Sequence, residues 1–172
     1  TTVTNTQWVG LANYVKAFTG SRDFLNALWF TVKFTVVSVI TINLLSFALA
    51  MLLTRAMKGT NLFRTVFFMP NLIGGIVLGY IWQIIINGFL LRFGVDITFS
   101  AKYGFWGLVV LMNWQLVGYM MVIYIAGIQN ISGELTEAAA IDGASGWQSL
   151  IHVTIPNVMP SITICTFLTL TN

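Results

Sequence analysis

The chain has 172 residues, of which 57% are hydrophobic and only 8% charged, and its formal net charge is +3. Ordinary soluble domains carry about 25% charged residues, so this chain has too little polar surface to cover a water-soluble globule of its size, and we expect membrane lipid around it. Its basic residues are scattered, whereas nucleic-acid binding needs Lys and Arg clustered on one face, so we do not expect this chain to bind nucleic acid.

Groups that carry catalysis or bind metals are sparse. Cys165 and His152 are single residues of their types, so no intrachain disulfide can form and the ligand spacing of a zinc site is missing. No Gly-Lys pair is present that could cradle phosphates in a glycine-rich loop. We therefore expect no metal site, no cofactor bound by this chain and no enzymatic activity of its own.

The first long apolar stretch covers residues 34–53, twenty positions without a charge. As a helix at 1.5 Å per residue, this length crosses the ~30 Å hydrocarbon layer. Residues 24–33 either extend the helix, with Lys33 reaching toward the headgroups, or form a short interfacial helix. The sequence alone leaves both alternatives open.

The second uncharged span covers residues 66–86. Pro70 and the pair Gly74-Gly75 interrupt it, and we predict one kinked helix, since neighbouring helices can satisfy the freed backbone groups. Gly75 and Gly79 are spaced for close packing against another helix.

Two further apolar stretches follow at 103–127 and 158–172. The last is only fifteen residues long, too few to cross a membrane, and the chain starts at Thr1 without a Met. We therefore expect a fragment of an all-α, polytopic membrane protein, with a single transmembrane domain over residues 1–172.

The sidedness of the chain follows from three basic residues in the loop 54–65, which has no acidic residue: Arg55, Lys58 and Arg64. The positive-inside rule assigns this loop to the cytoplasm. Counting spans from there places residues 131–157 and Lys58 on the cytoplasmic side. Residues 87–102, with Asp96, form an external loop.

The polar segment 131–157 predicts two short helices joined by a turn. Ser132 can cap the first helix, with Glu134 in its first turn favoured by the helix dipole. Three consecutive alanines favour helix, Gly143 permits the turn, and residues 147–153 form the second helix.

The run Glu137-Ala-Ala-Ala-Ile-Asp-Gly143, followed by Val153-Thr-Ile-Pro156, resembles the cytoplasmic EAA loop of ABC importer permeases. Val153 and Ile155 replace the Ile and Leu of that pattern, and Ser132 stands where the family often has Pro. The longer text through Trp147-Gln148 and Pro160, together with Trp8-Val-Gly-Leu-Ala-Asn-Tyr14, resembles the sugar-transporting, maltose-transporter-like branch. The resemblance runs through nearly the whole chain and implies the type I permease fold in a bacterial or archaeal cell membrane.

The resemblance also implies partners. In that family the EAA loop forms a coupling helix that docks in a cleft of separate cytoplasmic ATP-binding subunits, which hold ATP and Mg. A second permease subunit, in a heterodimer, and an extracytoplasmic solute-binding protein complete the importer. Glu137 is then the acidic contact and Gly143 the turn. The small residues for close approach and the remaining motif positions are Ala138, Ala139, Asp142 and Pro156.

Uncharged polar residues in the spans are candidates for a carbohydrate pathway, because sugars are bound by amide and hydroxyl groups beside an aromatic platform. The candidates are Gln115 and Tyr119, which share a helix face, and Thr166, Thr169 and Asn172 in the last span. A hydrogen bond to a neighbouring helix, worth about 0.6 kcal/mol, explains each of these polar residues equally well. For Asn43 the interhelical hydrogen bond is the better explanation. A permease for a polyol or glycerol phosphate, and an ATP-independent channel or scaffold, stay open as alternatives.

Overall fold

The computed structural model describes residues 8–20, 22–55, 59–94 and 101–172. Lys58 and Asp96, on which the predicted sidedness depends, lie outside these residues. Internal contacts divide the chain into two units, Thr1–Val36 and Val37–Asn172, and each is treated by itself.

The first long helix is continuous and longer than predicted. A short helix α1, Ala12–Gly20, precedes α2, Arg22–Leu53, which has 32 residues and contains no Gly or Pro to interrupt it. The predicted span 34–53 is therefore the C-terminal part of α2, and the residues before it are helical extension, not a separate interfacial helix. Lys33 Nζ lies 5.3 Å from the ring centroid of Trp29, a cation–π distance.

Three elements stand where one kinked helix was predicted: α3, Thr60–Phe68, a 3₁₀ turn, Met69–Leu72, and α4, Gly75–Leu90. The prediction of one helix over residues 66–86 is wrong. Ile73 (φ −86°, ψ 128°) and Gly74 (φ −59°, ψ 134°) are both extended, and two consecutive extended residues end the ladder of helical hydrogen bonds that Pro70 already weakens.

The C-terminus of α2 is capped by α3. Arg64 Nη2 donates to the carbonyl oxygen of Leu53 over 3.2 Å, where the helix dipole presents its negative end. Arg64 was predicted to lie in a loop. It lies instead in α3, which begins at Thr60, and the Arg64 side chain connects α3 to α2.

The core of the unit Val37–Asn172 forms around α5, Ala101–Gln129, which contains the predicted span 103–127. Six of the buried core side chains belong to α5: Leu116, Val117, Met120, Met121, Tyr124 and Ile125. Gly118 faces α3, and a Cβ at this position would overlap the carbonyl oxygen of Phe67. The two backbones approach this closely because residue 118 has no side chain.

Polar side chains of α2 and α5 bond to each other. Tyr124 donates its hydroxyl to Asn43 Oδ1 over 2.7 Å, and Asn113 Nδ2 donates to Thr41 Oγ1 over 3.0 Å. The interpretation of Asn43 as an interhelical hydrogen-bonding residue is confirmed.

The predicted packing face of α4 is open within the described residues. A Cβ added at Gly75 or at Gly79 would meet no heavy atom within 4 Å. The ring centroids of Trp82 and Trp114 are 5.5 Å apart, beside a cavity of about 270 Å³ between α4 and α5.

The C-terminal part consists of α6, Gly133–Ile141, α7, Gly146–Asn157, and α8, Met159–Thr171. The axes of α7 and α8 differ by 66°. In the described part of the chain, three helical segments are long and apolar enough to cross a membrane: Arg22–Leu53, Gly75–Phe93 and Lys102–Gln129. The bent pair of α7 and α8 makes a fourth if it is one span.

Candidate functional site

The N-terminus of α6 is capped as predicted. Ser132 accepts a hydrogen bond at its side chain from the backbone N–H of Glu134, over 3.3 Å. The Glu134 carboxylate lies in the first turn, where the helix dipole stabilises negative charge. This cap fixes where the exposed helix begins after α5.

The turn after α6 depends on Gly143, whose φ is +75°. The N–H of Gly143 donates to the carbonyl oxygen of Ala140 over 3.1 Å. The N–H of Ala144 donates to the carbonyl oxygen of Ala139 over 2.9 Å. These two bonds make a Schellman motif, which needs a left-handed residue at this position. The predicted role of Gly143 as the turn is confirmed.

A second cap, which the sequence reasoning missed, begins α7. Ser145 N–H donates to Gln148 Oε1 over 2.8 Å, and Gln148 N–H donates to Ser145 Oγ over 3.3 Å. This reciprocal capping box is legible in the sequence as Ser, two residues, Gln. Two caps in series therefore fix both helices on either side of Gly143.

Helix α7 is longer than the predicted 147–153 because it continues through a π turn, Leu150–Thr154, to Asn157. Pro156 lacks the N–H that would bond to the residue four positions earlier. The wider turn just before it lets the helix continue past this missing bond.

The predicted coupling residues lie mostly at the surface. Five are exposed and Ala139 is half-buried: Glu137, Ala138, Asp142, Gly143 and Pro156. Two large apolar side chains on either side of the turn are also exposed, Ile141 at 85% and Trp147 at 69%. Sequence reasoning did not assign them a role, although apolar residues beside a polar turn could have suggested one.

Between α6 and α7 lies a recess of about 310 Å³, to which Asp142 and His152 contribute. His152 Nδ1 is 3.0 Å from the carbonyl oxygen of Gln148. Within the described residues no three His, Cys, Asp or Glu side chains gather as metal ligands. The exposed carboxylates of Glu137 and Asp142, on the same segment as the exposed Ile141 and Trp147, suit docking against a complementary protein surface.

The predicted substrate residues do not meet around one cavity. Tyr119 is half-buried with its ring centroid 6.3 Å from that of Phe68, and Thr169 is buried with its hydroxyl donating to the carbonyl oxygen of Cys165. Gln115 and Thr166 are half-buried, and Asn172 is exposed. None of the five lines the cavities of about 270, 610 and 310 Å³. Their assignment to a substrate pathway stays a prediction.

The chain is similar to curated proteins over most of its length. It is 40% identical to the probable starch degradation products transport system permease protein AmyD of Thermoanaerobacterium thermosulfurigenes, over 96% of this chain and 59% of that protein. It is 28% identical to the sn-glycerol-3-phosphate transport system permease protein UgpA of Escherichia coli, over 91% of this chain and 56% of that protein. The chain thus spans under two thirds of the length of both.

A solved structure shares the fold. A bacterial ABC transporter involved in the import of the acidic polysaccharide alginate superposes with a TM-score of 0.79 at 22% identity, over 96% of this chain and 62% of that one. Residues 58–172 match the family described as binding-protein-dependent transport system inner membrane component. The chain belongs to this family of transport permeases, and it is an all-α, multi-pass membrane protein of the inner membrane.

Proposed function

We propose that this chain forms part of the carbohydrate translocation pathway of an ATP-driven importer, and that residues 131–157 couple it to a separate cytoplasmic ATPase. One observation carries the proposal. Two capped helices meet at the left-handed Gly143 and expose carboxylates and large apolar side chains between membrane helices.

The chemistry of this segment favours docking over catalysis. Glu137 is exposed on α6 and can meet a cation of a partner, while Ile141 and Trp147 can anchor in apolar pockets. Ala138 and Ala139, one and two residues after Glu137, allow the partner to approach closely. Asp142 and Pro156 complete the segment at its turn and at its exit toward α8.

A carbohydrate is the proposed solute because the starch-product permease is 40% identical to this chain, against 28% for the glycerol-3-phosphate permease. Gln115, Tyr119, Thr166, Thr169 and Asn172 are the proposed pathway residues. Glycerol phosphate or a polyol is the second candidate, and a ligand screen on the cognate solute-binding protein separates the two.

The proposed assembly supplies what this chain lacks. ATP and Mg would be held by separate cytoplasmic ATP-binding subunits. A second permease would complete the pathway as a heterodimer, and an extracytoplasmic protein would deliver the solute. Closure of the ATPases would move the coupling segment and switch the access of the pathway from one side of the membrane to the other.

The test is solute uptake by the full-length protein carrying Gly143→Asp. A Cβ in the left-handed backbone costs about 1–2 kcal/mol, and a carboxylate buried at a docked surface adds a desolvation cost. We expect uptake to be abolished while the affinity of the binding protein for the solute is unchanged. Gly146→Asp is the matched control, because Gly146 begins α7 without a positive φ and a helix N-terminus favours an acid.

Co-purification of the ATPase from membranes tests Glu137→Lys, which reverses a charge at the same surface and should weaken attachment. Glu137→Gln should have a smaller effect. Normal uptake by Gly143→Asp and Glu137→Lys, at normal expression, would refute the coupling assignment and favour the channel or scaffold.

A further inference from the structure

Gly127 of α5 lies against the start of α8. A Cβ at residue 127 would overlap Ser161 Oγ, lie 3.1 Å from Ser161 Cβ and lie 3.7 Å from Val158 Cγ1. Val158 is fully buried and Ser161 nearly so. The two helices approach each other this closely only because residue 127 has no side chain.

This contact coincides with the bend between α7 and α8. Val158 is the residue at which the two helices meet at 66°. Pro160 has no N–H to continue the helical ladder through the bend. The ladder nevertheless holds on both sides, because Val158 N–H donates to Thr154 O and Ile162 N–H donates to Val158 O, each over 3.0 Å. Two helical hydrogen bonds therefore flank the bend.

The two arms of this corner have different surroundings. On one side, α7 carries the exposed Trp147 and Pro156. On the other side, α8 packs along α5, where Cys165 Sγ lies 3.8 Å from the carbonyl oxygen of Met120. If the two hydrogen bonds beside the bend keep its angle fixed, a displacement of the exposed arm turns the packed arm as well.

We infer that Gly127 is a positioning residue for coupling, and that its contact with Val158 and Ser161 is the pivot on which α7 and α8 turn together. The inference rests on the proposed function, because it assigns the point about which the coupling segment rotates. In this proposal Gly127 acts through the placement of α8.

The first experiment changes the spacing at the pivot in the full-length importer, reconstituted with its ATPase and binding protein. Gly127→Ala forces α8 away from α5, and we expect binding-protein-stimulated uptake to fall about tenfold or more, with the ATPase still attached and its basal hydrolysis retained. Adding Ser161→Gly removes the overlapping atoms, so the double variant should recover most of the uptake. Gly88→Ala in α4, where a Cβ meets nothing within 4 Å, is the control for a helical Gly→Ala change.

Unchanged uptake by Gly127→Ala overturns the pivot, as does failure of Ser161→Gly to rescue it. Uptake by the unmutated protein that continues without the ATPase overturns the proposed function, and the pivot with it. These two failures are distinguishable because the second appears before any variant is made.

A second measurement avoids altering the pivot. Spin labels at Ile151→Cys on α7 and Phe167→Cys on α8, both exposed, are each paired with Val122→Cys on α5 in a Cys165→Ala background. The pivot predicts that both distances to residue 122 change between the nucleotide-free and ATP-bound states. A change at residue 151 alone means that the chain flexes at Val158, and no change at either means that α7 does not drive α8; either result overturns the inference.

Discussion

The helical segment Gly75–Phe93, which begins with α4, and helix α5 are both long enough and apolar enough to cross a membrane, yet they have opposite surroundings in this chain. Half of the most apolar stretch of α5 is buried against other helices, whereas only 6% of the most apolar stretch of the segment that begins with α4 is buried. Each helix carries glycines. Those of α5 at residues 118 and 127 have neighbours in contact, and those of α4 at residues 75 and 79 have open space.

The difference shows that apolar composition predicts where a helix resides but not what it packs against. In lipid, burial against protein has little hydrophobic advantage over burial against acyl chains, so helix association depends on close packing and interhelical hydrogen bonds. A glycine contributes to helix packing only where atoms of another helix lie against it. Three substitution pairs, each with one member at a packed position and one at an exposed position, test this view.

The largest difference is expected between Gly118→Ala in α5 and Gly79→Ala in α4. A Cβ at residue 118 overlaps the Phe67 carbonyl oxygen and lies 2.8 Å from Phe68 N, so backbone has to shift. We expect a loss of about 3 kcal/mol or more in the free energy of unfolding in detergent. Gly79→Ala should be neutral or stabilise by up to about 1 kcal/mol. Equal stabilities of the two variants would contradict the role given to α5.

An intermediate difference is expected between Leu116→Ala and Ile84→Ala. Leu116 is 1% exposed and belongs to the core, whereas Ile84 on α4 is 56% exposed. Truncation at residue 116 should cost about 2 kcal/mol because it leaves a cavity, while truncation at residue 84 should cost less than about 0.5 kcal/mol. Thermal unfolding of the two purified variants measures this. A larger loss for Ile84→Ala would contradict the difference in packing between α4 and α5.

The smallest difference is expected between Ser46→Ala and Thr163→Ala. Ser46 Oγ donates to the carbonyl oxygen of Val117 across two helices over 3.0 Å, whereas Thr163 Oγ1 donates to Met159 within its own helix. Loss of the interhelical bond should cost about 0.6 kcal/mol, and loss of the local bond close to nothing. Chemical denaturation with several replicates resolves a difference of this size, and indistinguishable variants would remove the hydrogen bond from the account of α5 packing.

The sequence predicts the all-α membrane fold, because the uncharged stretches are long and the turn chemistry is local. The caps at Ser132 and Gly143 need only residues within one helical turn, and both are confirmed. The break at Ile73 was missed, since Pro70 is compatible with a kinked helix as well as with a broken one. Which of the two forms depends on the packing of α3 against Gly118, forty-five residues or more along the chain, and no local pattern carries that information.

The candidate site divides in the same way. The proposed coupling positions follow from a local motif, and most of them lie at the surface, as a docking role requires. The capping box at Ser145 could have been read in advance. The substrate candidates depend on which faces of α5 and α8 meet a pathway. Thr169 bonds to its own helix, and residue type alone does not distinguish that role from contact with a solute.

Arg64 has a predicted role during membrane insertion and an observed contact in the folded protein. Membrane orientation is decided while the chain is being inserted, when Arg64 is a free cation beside Arg55. Only after α3 docks does its guanidinium reach the Leu53 carbonyl oxygen. A lysine would carry the same charge but lacks the guanidinium Nη2 that makes this hydrogen bond. The guanidinium at this position therefore serves the folded state, whereas the positive charge is what the predicted cytoplasmic placement of the loop depends on.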